Sequence, residues 1–91
     1  MKKGRRFRLG QVCGTPGAQE GVSPLILRDA LTRHQSGDWG DICDADRAEN
    51  ELALEHGFRI HSAYKYENEP TFWIITEADR SVTTFLLPDE Y

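Results

Sequence analysis

The stretch from Phe72 to Leu87 restricts the fold most: F-W-I-I-T, then E-A-D-R-S, then V-T-T-F-L-L. Two runs of β-branched and aromatic residues flank a short polar segment, which is the pattern of a β-hairpin. Successive side chains in a strand point to opposite faces, so Trp73 and Ile75 share one face and Phe72, Ile74 and Thr76 the other. Large apolar groups on both faces place this strand inside a sheet, covered on both sides by its own chain or by a partner. The second run alternates Val82, Thr84 and Leu86 with Thr83, Phe85 and Leu87. The link lacks the Asn-Gly or Gly pair of a two-residue turn, so a loop of about four or five residues is expected. Pro88 cannot donate to a ladder and ends the second strand. The rest of the chain is expected to cover this hairpin.

Upstream, Phe7, Leu9 and Cys13 alternate with Arg8, Gly10 and Val12, which predicts a half-buried strand from Phe7 to Cys13. Gly14-Thr15-Pro16-Gly17 breaks it, and Thr15 can cap a short helical turn with Pro16 in the first position. Ser23-Pro24 repeats that start signal for a helix to about His34, with Leu27, Ala30, Leu31 and His34 on one stripe. Gln35 to Asp41 is a loop in which two glycines bracket Asp38-Trp39. Asp44 is expected to cap a second helix through about His56, closed by Gly57, with Ala45, Ala48 and Leu52 inward. Phe58 to Tyr66 carries the clearest strand alternation, and Glu67 to Pro70 is the turn into the hairpin. The expected fold is one α+β domain over residues 1–91, with residues 1–5 mobile. Its elements run β-α-α-β-β-β, and two helices pack on one face of a four-stranded antiparallel sheet.

Charge narrows the function classes. The net charge is -4, but it is unevenly spread. Lys2, Lys3, Arg5, Arg6 and Arg8 form a basic head, and Asp38, Asp41, Asp44, Asp46, Glu49, Glu51 and Glu55 an acidic middle. No run approaches the ~18 apolar residues of a membrane span, and the basic head lacks the apolar stretch of a signal peptide. These features point to a cytoplasmic chain, in which Cys13 and Cys43 are expected as free thiols. A chain of 91 residues buries only a small core, and no cofactor is expected.

The chemistry-bearing residues form no recognised set. The aspartates from 38 to 46 are spaced loosely like a calcium loop, but Cys43 stands where the loop needs glycine. Cys13, Cys43, His34, His56 and His61 show no zinc spacing. G-T-P-G lacks the length and the G-K-[ST] ending of a phosphate loop. No metal and no catalytic residue is assigned. Trp39, between two Gly-Asp pairs, is either a plug on the core or a binding anchor. If it is an anchor, Asp38, Trp39, Asp41, Asp46 and Glu49 form a protein-binding site. The alternative is a nucleic-acid surface or small ribonuclease-like module, using Lys2, Lys3, Arg5, Arg6 and Arg8 with Tyr64, Tyr66, Phe72 and Trp73 as stacking rings.

The stretches S-G-D-W-G-D, D-R-A-E-N-E-L-A-L-E-H-G-F-R and W-I-I-T-E-A-D-R-S-V-T-T-F-L-L-P together span most of residues 36–88. They resemble a group of small bacterial proteins of plasmids and integrated mobile elements, labelled plasmid-related or, loosely, type I restriction subunit M. A methyltransferase needs a longer chain and an N-P-P-[FY]-type motif, so that label does not carry over, and no site residue does. The resemblance implies a bacterial, cytoplasmic, mobile-element setting. The function expected is that of a non-enzymatic accessory protein binding a host protein or complex, such as a defence complex it inhibits (anti-restriction or anti-CRISPR type). A homodimer is also open, because two helices can cover only one face of the hairpin.

Overall fold

A computed structural model describes residues 4–91. Lys2 and Lys3, and residues 1–3 of the segment expected to be mobile, lie outside the described residues. The order is β1 (Gln11–Gly14), α1 (Pro16–Gly21), α2 (Pro24–Ser36), α3 (Asp44–His56), β2 (Ile60–Tyr64), β3 (Phe72–Thr76) and β4 (Val82–Leu86), then a 3-10 turn, Pro88–Glu90. The fold is α+β, and the hairpin is its centre: β3 and β4 are the two inner strands of a sheet ordered β1-β4-β3-β2. Two expectations are corrected. The sheet is mixed, because β1 runs parallel to β4 while β2–β3 and β3–β4 are antiparallel. The helices number three among the described residues, since the Thr15-Pro16 signal yields a helix of its own.

Local chemistry sets most of the boundaries. Thr15 and Ser23 cap α1 and α2, each accepting from the backbone N–H three residues on, with proline in the first turn. Gly37 and Gly57 close α2 and α3 in the left-handed region. The cap of α3 is Cys43, without a side-chain hydrogen bond, and Asp44 is its first helical residue. The first strand is shorter than its alternation predicts. Gly10 has φ +66, and a Cβ there would sit 2.2 Å from the Ser81 carbonyl oxygen, so the chain bends before Gln11. Phe7 leaves the sheet and turns inward, its ring 6.2 Å from that of Trp39 and 5.2 Å from that of His34.

One sheet face holds the main core. Tyr64, Phe72, Ile74 and Phe85 meet Ala18, Val22 and Ala30 of the first two helices, with Leu27 and Leu31 packed alongside. Each large apolar side chain buried there contributes about 1.5–3 kcal/mol. The other face carries Ala63, Trp73, Ile75 and Leu86. Its cover comes from side chains such as Tyr91 against Trp73, and from the first turns of α3 at the β2 edge.

Helix α3 does not face inward as its alanines suggest. Ala45 and Ala48 are exposed and Leu52 is 50% exposed, while Asn50 and Ala53 are buried. Asn50 is turned in because it completes the β2 edge: its amide donates to the His61 carbonyl at 2.8 Å and accepts the His61 N–H at 3.2 Å. Farther along, the Asp41 N–H donates to the Ala63 carbonyl and the Ala63 N–H to the Trp39 carbonyl. The Lys65 N–H then reaches the Asp41 carboxylate. These side chains and the 39–41 loop thus occupy an edge that would otherwise template pairing with another strand. Gly40, at φ +75, permits the approach, since a Cβ there would lie 2.0 Å from the Ala63 oxygen.

Candidate functional site

Residues 41–43, the first two turns of α3 and the outer face of β2–β3 line an open pocket of about 380 Å³. Strand alternation places Ala63 and Trp73, paired across β2–β3, on the pocket side, with His61 one pleat away. Helical spacing puts Asp46, Glu49 and Asn50 on one face of α3, above them. Asp41, Ile42 and Cys43 close one end and Arg59 the other. Among the described residues, no three histidine, cysteine or acidic side chains are grouped to hold a metal ion.

The pocket is electrostatically lopsided. Asp41, Asp46 and Glu49 bring three carboxylates against the single guanidinium of Arg59. Arg59 has partners of its own, donating to the Tyr91 hydroxyl at 2.7 Å and pairing with Glu77 at 3.6 Å. His61 packs edge-on against Trp73, with ring centres 4.5 Å apart. Burial holds its pKa below the ordinary value, only partly offset by the Asp46 charge, so His61 is neutral near pH 7.

The structure separates the five sequence-derived protein-binding residues. Asp41, Asp46 and Glu49 come together at the pocket. Asp38 is committed to the fold, with Arg33 donating to it from Nε at 2.8 Å and Nη2 at 3.3 Å. Trp39 is a plug, only 2% exposed, with its indole N–H on Glu51 at 3.1 Å. It cannot serve as the surface anchor weighed from the sequence. Its place is among Phe7, Ala53 and Ile60, because the loop that carries it lies along β2.

The basic head is also divided. Arg6 forms a two-pronged pair with Glu51 at 2.9 and 3.1 Å, while Arg5 and Arg8 are exposed. Tyr64 and Phe72 are fully buried, which withdraws two of the four rings considered for base stacking.

Nothing in the local spacing joins Trp73 or Arg59 to the acidic residues. Alternation put Trp73 on a strand face, but only the β2–β3 register and the α3 position bring it under Asp46 and Glu49.

A second cluster is internal. His34 Nδ1 lies 2.6 Å from the Ser62 hydroxyl and Nε2 lies 2.9 Å from that of Thr76. Thr76 reaches Thr83 at 2.7 Å, and Thr83 the Leu9 carbonyl at 2.7 Å. A carbonyl only accepts, so Thr83 donates to it; each hydroxyl has one proton, so Thr76 donates to Thr83 and His34 Nε2–H to Thr76. Nδ1 is left to accept from Ser62. The chain end thus selects the neutral Nε2–H tautomer, and burial lowers the His34 pKa to about 3. A serine beside a histidine resembles a nucleophile and its base, but here both are fully buried.

No helix among the described residues is long and apolar enough to cross a membrane. Compared with protein-family models, curated proteins and solved structures, the chain matches none.

Proposed function

We propose that the chain is a non-enzymatic, cytoplasmic accessory protein of a mobile genetic element that acts by binding a basic surface of a host protein, as an inhibitor of a defence complex would. One observation carries this reading. The pocket puts Asp41, Asp46 and Glu49 beside a half-buried tryptophan, with no hydrogen bond or ion pair to Asp46 or Glu49 among the described residues. Carboxylates rimming an aromatic floor offer both the steering and the anchor that protein recognition uses. The setting follows the sequence resemblance.

The test is a double charge reversal, Asp46→Lys with Glu49→Lys, at two exposed positions. The wild-type chain is expected to co-purify a host protein from a bacterial lysate and to raise the survival of incoming phage or plasmid DNA. The variant loses both while melting in the same range. If wild type and variant behave alike in both assays, the reading fails.

A further inference from the structure

We infer that the pocket is a seat for one guanidinium group: an arginine side chain of the partner protein, laid on Trp73 and met by Asp46 and Glu49. This rests on the protein-binding reading above and narrows it to a single side chain.

Charge comes first. Three carboxylates and one guanidinium leave a net charge of -2 around the cavity, with His61 neutral. An anion or a phosphate is repelled there and a monovalent cation is attracted. The absence of a three-ligand cluster among the described residues argues against a metal ion. Shape comes next. Trp73 is the best type of ring for a cation, and His61 and Tyr91 meet it in T-shaped contacts, with ring centres 4.5 and 5.6 Å away, rather than stacked flat on it. Elsewhere the fold already sets arginine over rings: Arg33 over Tyr64 at 4.9 Å and Arg80 over Phe7 at 5.7 Å. Among the described residues, no cation lies over Trp73. Hydration decides between the two basic side chains. Ala63, Ile42 and the indole make part of the wall apolar, and a guanidinium is more weakly hydrated than an ammonium, lies flat and forks onto a carboxylate. Asp46 and Glu49, one helical turn apart, offer two such acceptors.

Arg59 gives the proposal a signature that a structural role does not share. Its charge opposes an incoming cation, so Arg59→Ala is expected to tighten binding, although it removes the contacts to Tyr91 and Glu77.

The experiment titrates the full chain with N-acetyl-arginine amide and follows the Trp73 indole N–H and the Ala63 amide by NMR. Saturating shifts are expected with a dissociation constant in the millimolar range, as suits a fragment with few contacts. Asp46→Asn with Glu49→Gln weakens binding by about tenfold, and Arg59→Ala strengthens it. N-acetyl-citrulline amide, neutral but of the same shape, leaves the resonances in place. Four results overturn the proposal: no shift with the arginine probe, equal shifts with citrulline, equal shifts with N-acetyl-lysine amide, or shifts that survive the double substitution. If the same resonances move on raising protein concentration alone, the occupant is a second copy and the hetero-partner assignment falls. The probe assay uses no host protein, so the seat and the defence-complex reading fail independently.

Discussion

Lowering the pH tests the internal hydrogen-bond chain directly. His34 sits between Ser62 and Thr76, with Phe7 and Trp39 against its ring; burial, and then the His61 and Arg80 charges, bring its pKa from 6.5 to about 3. In the unfolded chain it titrates near the ordinary value. Between those two values the unfolded state binds a proton that the folded state does not, so stability falls as the solution is acidified. Each pH unit well inside that window costs about 1.4 kcal/mol, giving about 2.7 kcal/mol between pH 7.5 and 4.5 and about 5 kcal/mol at full extent. The assay is urea unfolding at pH 7.5 and 4.5 for the wild type and for His34→Gln, which does not titrate. Carboxylates far from the ring contribute equally to both proteins, so the difference between the two pH dependences reports His34 together with its coupling to the His61 charge. A gap of about 2–3 kcal/mol is expected, with the wild type the more acid-sensitive. Nitrogen shifts of the His34 ring in the wild type provide a check that needs no variant: the ring stays neutral, protonated on Nε2, down to pH 4.5. Equal pH dependences, or a His34 ring that titrates near 6.5, would refute the burial argument, and nitrogen shifts of a ring protonated on Nδ1 would refute the tautomer assignment.

Other substitutions probe other parts of the structure. Trp39→Ala empties the space under Phe7 and Ile60 and is expected to cost about 3–5 kcal/mol in urea unfolding; a loss below about 1 kcal/mol would return Trp39 to the surface. Asn50→Leu leaves the His61 N–H and carbonyl at the β2 edge without their side-chain partners, at about 1–3 kcal/mol each, and hydrogen exchange should speed first at the His61 amide. Arg80 donates to the carbonyls of Ala53, Phe58, Glu77 and Ala78 and stacks on Phe7, so Arg80→Lys loses the fork. A drop of about 1–3 kcal/mol is expected, with faster exchange at the α3 C-terminus, and an unchanged melting curve would contradict it. On heparin at low salt the chain should flow through, because its net charge is -4 and Arg6 is paired with Glu51; retention would favour the nucleic-acid alternative.

What the sequence determined by itself was local. Proline, glycine and hydroxyl residues punctuate the chain, so the starts of α1 and α2 and the close of α3 were legible at Thr15, Ser23 and Gly57. The β3–β4 hairpin was legible because its apolar run can be satisfied only inside a sheet. The partner of β1 was not legible, because four residues that alternate one way pair equally well in either direction. The parallel pairing, with the Gln11 N–H on the Ser81 carbonyl, is set by elements that lie between the two strands in the chain and outside β1 itself. Nor was the inward face of α3: hydrophobic patterning turns Leu52 in and Asn50 out, whereas an open strand edge, which no local pattern records, draws Asn50 in. The pocket follows the same rule. Its carboxylates were visible as a charged stretch, but the tryptophan beneath them belongs to a strand more than twenty residues away. Local propensity is decided within a few residues, while a site is decided by which surfaces the packed core leaves facing one another.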